Sequence, residues 1–352
     1  FDAIVLGSQD ARQVIWLNAT QATPVVFKDP LVLISAGVAL DANGNKVVAG
    51  EVNISGGLQG QGLTILGSGS TTHLFAADIV QAGDVVINDS LVVESDTLIQ
   101  VTTQGGLLKL NGSITVKSGQ TLTLDASRIE LGTYGDRSDS LVLEQGAKLV
   151  IGTSSLTVDR ALTIQGGGSG ELVLRGQTVQ GQVADFNLSA ADLEALTTQM
   201  VDGTFASLTV GSAGTVTTVA SPSLWSEGIA SITLQGSSVQ LGAQGEQAIW
   251  RVGSHAVFKA TQGDLVLNAD LLSDTGAYIN LTADVGRVLM AADATIVSLG
   301  GMVSLNAVSG IQVGEIDTSF GAGGLAGAVS LDSSSGTITL ADIYQTGMGI
   351  KA

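Results

Sequence analysis

The chain has no cysteine. That excludes disulfide staples, thiolate metal sites and cysteine nucleophiles. Proline occurs three times in 352 residues, so almost every backbone N–H is free to enter a hydrogen-bond ladder. Aromatic residues make up 4% against 44% hydrophobic residues overall. A core must therefore be built from Val, Leu, Ile and Ala. Basic residues are scarce, 14 against 32 acidic ones, for a formal net charge of −18. Nucleic-acid binding needs clustered Lys and Arg, so that class is disfavoured, and an acidic surface repels anionic membranes. No apolar run approaches the roughly 20 residues of a membrane-spanning helix, which argues against membrane insertion. With only 13% charged residues, disorder is disfavoured as well.

Glycine, by contrast, is abundant at 47 residues, without the every-third-residue period of collagen. It closes a recurring alternating phrase: Leu63-Thr-Ile-Leu-Gly67, Leu162-Thr-Ile-Gln-Gly166, Leu172-Val-Leu-Arg-Gly176, Leu208-Thr-Val-Gly211 and Ile232-Thr-Leu-Gln-Gly236. Looser copies start at Val303, Val329 and Ile338. Such units bury a hydrophobic face only by stacking, which predicts an all-β solenoid, a parallel β-helix. Strands of three to five residues between short corners fit that fold better than a β-sandwich, the main competitor. A coil of roughly 20–25 residues gives about 14 to 17 coils, with strands ~4.8 Å apart along the stack.

Four regions follow. Residues 1–60 form an irregular β region, either the start of the solenoid or the end of a preceding module. Within it Leu31 to Val48 reads as a hairpin with Asn43-Gly44 at its tip. Residues 61–180 form the first part of the solenoid and 205–352 the second, which is expected to continue beyond the sequence. Both ends read as cut from a longer polypeptide. Between the parts, 181–204 holds one short helical insertion: Ser189 is placed as N-cap with Asp192 three residues on, and Leu193, Leu196 and Met200 share one face.

Two stretches carry a resemblance. Gly301-Met-Val-Ser-Leu-Asn-Ala-Val-Ser-Gly-Ile-Gln-Val-Gly-Glu-Ile-Asp-Thr-Ser319 aligns with Gly327-Ala-Val-Ser-Leu-Asp-Ser-Ser-Ser-Gly-Thr-Ile-Thr-Leu-Ala-Asp-Ile343. Val303 and Val329, Leu305 and Leu331, Gly310 and Gly336, Ile311 and Ile338, and Ile316 and Ile343 correspond approximately, the second stretch having one extra residue before Ile338. The pattern resembles the degenerate repeats of giant bacterial surface proteins, best known in filamentous-haemagglutinin-like adhesins. It covers the second part of the solenoid well and the rest in style. The stretch Leu188–Gly211 also looks like a repeat of very large secreted LEPR-XLL-type proteins. The resemblance implies a right-handed parallel β-helix, export to the cell surface or medium, and adhesive or scaffolding use. The expected function is a non-enzymatic stalk or fibre segment in adhesion or cell–cell contact. Its partners would be neighbouring repeats, other copies, or cell-surface glycans and proteins. A carbohydrate-active β-helix enzyme and a self-assembling extracellular filament or surface-layer protomer are the alternatives.

Catalytic signatures are lacking. There is no Asp-Asp dipeptide and no Arg-x-Lys of the kind β-helix galacturonases use, and His73 and His255 have no recognisable partners in the sequence. Gly166-Gly-Gly-Ser-Gly170 lacks nucleophile-elbow spacing. Calcium is the cofactor to consider, because Ala-Asp recurs at strand ends, at Ala77-Asp78, Ala269-Asp270, Ala283-Asp284, Ala292-Asp293 and Ala341-Asp342. Stacked aspartates gather the oxygens calcium prefers, which makes Asp270, Asp284, Asp293 and Asp342 candidate ligands. The three tryptophans, Trp16, Trp225 and Trp250, are too scattered in sequence to suggest a sugar-stacking platform. Trp225, in a loop-like stretch, is the candidate for an exposed contact.

Overall fold

The structure is a computed structural model. It describes residues 3–8, 14–35, 39–40, 46–47, 50–132, 139–187, 189–201, 204–219, 223–226, 229–243, 249–252, 255–273, 276–319 and 326–344. The chain is 59% strand and 3% helix, a β-solenoid of about 12 turns with one short helix. The ladders that build it are parallel, which disposes of the antiparallel sandwich. The turns are fewer than expected because several coils are longer than the length assumed from the sequence. Ile4, Leu31, Leu63, Val85, Leu108, Ile129 and Leu156 are successive partners, and their spacing along the chain is uneven. The chain divides into two compact units, Phe1–Leu172 with Gln177–Gln182 and Gln199–Val201, and Val173–Gly176 with Val183–Thr198 and Asp202–Ala352.

In the first unit each coil contributes to three ladders. Val85–Ile87 stacks between Leu63–Ile65 and Leu108–Leu110. Leu91–Val93 lies between Thr72–Leu74 and Ile114–Val116. Ile99 lies between Ile79 and Leu124. Strict alternation along Val85–Val93 turns every second side chain inward, so like sits on like. Leu33, Ile65, Ile87, Leu110 and Leu131 form one inward column, all essentially inaccessible to solvent. At roughly 1.5–3 kcal/mol per buried aliphatic side chain, such columns are the main source of cohesion.

The hairpin read from Leu31 to Val48 is smaller than expected. Leu31–Ser35 is a solenoid strand, paired in parallel with Ile4–Gly7 and with Leu63–Gly67. Within this stretch, among the described residues, the antiparallel pairing is that of Ala39–Leu40 with Lys46–Val47, and the tip Asn43-Gly44 lies outside the described residues. The alternation of Leu31–Ser35, buried at every second position, suits either partner; the neighbouring coil wins because it covers the apolar face.

A second excursion, residues 177–182, reaches back across earlier coils. Asp125, 1% exposed, accepts the Thr178 N–H at 2.8 Å and the Thr178 hydroxyl at 2.7 Å. The Gln177 amide donates to the Val101 carbonyl at 3.2 Å and accepts from the Ser127 hydroxyl at 2.8 Å. Gln180 (φ +51°) and Gly181 (φ +79°) turn the segment in the left-handed region.

The second unit repeats the three-ladder plan, with more even coils. Leu208, Ile232, Ala256, Ile279, Val303 and Val329 are successive partners. The repeat alignment matches the ladder register within the strands: Val303 pairs with Val329 and Leu305 with Leu331, and Ile311 with Ile338 and Ile316 with Ile343; Gly310 and Gly336 are one residue out of step, because Ile311 lies opposite Ile338. The helix runs Ala190–Thr198. The Ser189 hydroxyl accepts the Asp192 N–H at 3.2 Å, the expected cap. Leu193 and Leu196 are fully buried, and the helix packs on the strand Ser223–Ser226. Gly211 turns a corner at φ +88°, and a Cβ there would run into the Gln235 carbonyl oxygen of the next coil.

Charge follows the same plan. Among the described residues, ion pairs join neighbouring coils: Lys109–Glu130, Lys117–Glu144 and Lys148–Glu171 in the first unit, Lys259–Asp284 and Arg287–Asp264 in the second. Exposed pairs of this kind contribute about 0–1 kcal/mol each, so they favour the register more than they stabilise the fold.

Candidate binding cleft

The register of the first unit brings together residues far apart in sequence. Trp16 pairs with Asn53 and Asn53 with His73, one coil to the next. On the same outer face Asn18 pairs with Ser55 and Ser55 with Phe75. Because Asn53 and Ser55 are small, the larger rings lean over them. Trp16 and Phe75 stack with ring centroids 6.3 Å apart and planes 15° from parallel. His73 and Phe75 stack at 6.2 Å and 19°. Trp16 is nevertheless 62% exposed. Its strand alternates, with Ile15 and Leu17 on the half-buried side and Trp16 on the outer one. Asn53, only 3% exposed, lies within this layer, and its Nδ2 has no hydrogen-bond partner among the described residues. The imidazole is held by Glu94, Nδ1 to Oε1 2.9 Å.

Directly after Phe75 the chain turns a corner at Ala76, whose φ of +49° is left-handed without being glycine, a conformation costing roughly 1–2 kcal/mol. Beyond it lies a cleft of about 400 Å³, lined among others by Gln21, Asp78, Asp96, Thr97, Thr121 and Thr123. Asp96 accepts the Thr121 N–H at 2.7 Å, which fixes one wall. Oδ1 of Asp78 is shielded from solvent and has no hydrogen-bond partner among the described residues. Leaving such an oxygen unmatched costs on the order of 1–3 kcal/mol. Among the described residues, no Arg, Lys or His lines it.

Further inside the same unit, Asp89 is 5% exposed. Burial pushes its carboxyl above the usual aspartate value, and hydrogen bonds from Thr72, Ser70 and Ser90 hold it partly back. Oδ1 accepts from the Ser70 hydroxyl at 3.0 Å and the Ser90 N–H at 2.9 Å, and Oδ2 from Thr72 at 3.0 Å. This carboxyl faces its own hydroxyl cage and serves the corner, not the cleft.

The residues singled out from sequence fall elsewhere, in the second unit. Asp270 begins the strand Asp270–Leu272 and accepts the Thr295 N–H at 2.8 Å, a structural task. Asp284 is paired with Lys259 at 3.0 Å and lines a smaller cleft of about 200 Å³ with Thr282, Asn306 and Asp332. Asp293 sits in the turn before Thr295–Val297, and Asp342 stands opposite Glu315 in a ladder. Among the described residues no three His, Asp or Glu side chains come together in a way that would hold a metal ion. Trp225 belongs to the strand Ser223–Ser226, opposite Arg251, rather than to a loop. His255 packs edge-on against Tyr278, centroids 6.2 Å apart.

Sequence reasoning passed over Trp16, Phe75 and Gln21. It noticed Asp78 as one of several Ala-Asp pairs, without a reason to prefer it. Trp16 and His73 meet across two coils of unequal length. The step from Trp16 to Asn53 is much longer than the step from Asn53 to His73, and no fixed repeat length aligns them.

No protein-family model matches the chain, no characterised protein aligns with it significantly, and no solved structure does so.

Proposed function

We propose that this chain is a non-enzymatic stalk or fibre segment of a very large bacterial surface or secreted protein, acting outside the cell in adhesion or cell–cell contact. The observation that carries the reading is the stacking itself. Within each unit, coil after coil is tied to the next by parallel ladders, like-on-like apolar columns and inter-coil ion pairs. In such an arrangement each coil is supported by its neighbours, so opening one disturbs the next. The ladder register, in which the two aligned repeats lie on each other, supports a repeat body built by stacking. The non-enzymatic part rests on the larger cleft, where the lining among the described residues holds two carboxylates and no Arg, Lys or His.

Two measurements test this. Single-molecule pulling should show extension in steps of one or a few coils, each coil of about 24 residues releasing roughly 80 Å. Rupture below the force range of ordinary globular domains would overturn the mechanical role. Display of the chain on a non-adherent bacterium should increase attachment to other cells; unchanged attachment would overturn the adhesive role.

A further inference from the structure

We propose that the outer corner formed by Trp16, Phe75, His73, Gln21, Asp78 and Asp96 is a binding site for neutral hexopyranose chains. The proposal rests on the adhesive part of the reading above and names the chemistry of what is grasped.

Three features converge on this class. The first is a layer of near-parallel rings, Trp16 on Phe75 and Phe75 against His73, with Trp16 left 62% open to solvent. A pyranose presents a flat face of C–H groups, and an exposed indole face is its natural complement, since aromatic side chains are apolar over the ring. The second is the adjoining cleft. Phe75 is separated from Asp78 by Ala76 and Ala77 alone, and Glu94, which holds His73, is two residues before Asp96. The groove next to the rings in the chain has about 400 Å³ and is lined by Gln21, Asp78, Asp96 and threonines together with Ala77 and Leu98. That volume lies in the range of small-molecule sites. The third is unmet hydrogen bonding: Asp78 belongs to the cleft wall, and its Oδ1 has no donor among the described residues. A sugar hydroxyl supplies one once the carboxylate turns toward the cleft.

Charge decides which sugar. Asp78 and Asp96 line the cleft and Glu94 stands beside the rings, while no Lys or Arg lines the cleft among the described residues. Sulfated and uronic-acid chains are repelled, and neutral hexoses are not. The ring layer also separates this site from a bare acidic pocket, which would select a cation instead. Ala76 is consistent with a built feature, because backbone held in a sparsely populated region concentrates at functional positions.

The test is isothermal titration of the whole chain with cellotetraose, mannotetraose and β-1,4-galactotetraose, with a heparin tetrasaccharide and calcium chloride as controls. At least one neutral tetrasaccharide should bind. Trp16→Ala should weaken it at least tenfold and Trp16→Phe should restore much of the loss. Asp78→Asn should weaken it severalfold. Trp16 is largely exposed, so unchanged circular-dichroism melting verifies that the variant folds. Failure of all three neutral sugars to bind overturns the proposal, as does binding that survives Trp16→Ala. Tighter binding of the heparin fragment than of any neutral chain overturns it too, and so does calcium uptake abolished by Asp78→Asn without sugar binding. None of these outcomes alters the pulling or attachment results, so failure of the site is distinguishable from failure of the stalk reading.

Discussion

The segment 177–182 offers the sharpest test of how the first unit is held together. Asp125→Ala removes the acceptor of two hydrogen bonds, from the Thr178 N–H at 2.8 Å and its hydroxyl at 2.7 Å. Hydrogen bonds to a charged group contribute about 1.5–3 kcal/mol each. The cost of ordering the segment offsets part of this, so its opening free energy should fall by about 3 kcal/mol. That corresponds to a drop of roughly a hundredfold in the protection of the Thr178 amide against hydrogen exchange. Ile87 and Leu110, in the inward column, serve as internal controls; their amides should keep most of their protection, because the segment lies outside that stack. Asp125→Asn keeps one carbonyl oxygen for the N–H and presents an amide to the hydroxyl, so its effect should be clearly smaller. Exchange at Thr178 that is the same in the Ala variant and the wild type would refute the reasoning. A uniform loss across Thr178, Ile87 and Leu110 would show instead that the carboxylate supports the whole unit. Limited proteolysis gives a second reading, since Gln180-Gly181 at the turn should be cut faster in the Ala variant.

Ile87→Ala, at a fully buried site between Ile65 and Leu110, should cost about 2–5 kcal/mol in chemical denaturation; a loss under about 1 kcal/mol would mean that the column is loosely packed. Burial raises the Asp89 carboxyl, so the folded state holds that proton more tightly than the unfolded one. Its contribution is therefore greatest below the unfolded value near 3.9 and is lost as pH rises through the folded value. Asp89→Asn should gain stability relative to wild type between about pH 4 and pH 7, and a difference independent of pH would contradict this. Gly211→Ala should destabilise by more than the roughly 1 kcal/mol of a simple left-handed penalty, because the added carbon meets the Gln235 carbonyl; equal melting temperatures would argue against that close approach.

The fold was legible because its cause is local. Alternation in Val85–Val93 and glycine after short strands dictate stacking, whatever lies beyond. The helix was legible for the same reason, since Ser189 and the Leu193/Leu196 spacing act within a few residues. The hairpin at Leu31 was misjudged because a two-residue turn signal is indifferent to whether the flanking strand finds its partner next door or one coil away. The site was hidden for a related reason. Trp16, Asn53 and His73 meet only once the lengths of the intervening coils are known. The recurring aspartates, read as a cation column, turn out to be divided among distinct tasks. Asp270 caps a corner amide, Asp284 answers Lys259, and Asp78 lines the cleft.

The unequal coils of the first unit mean that alignment is kept by faces and not by counting. A strand finds its place because its side chains match those beneath it; the corner in between is free to carry anything whose ends come back together. For lineages of such chains, insertion and deletion at corners should be nearly silent, whereas a single-residue slip within a strand inverts its inside and outside. For the engineer, the exposed turn at Gln104-Gly105 is a socket, since nothing lies within 4 Å of a Cβ added at Gly105. A foreign epitope placed there should leave the coils above and below it in register.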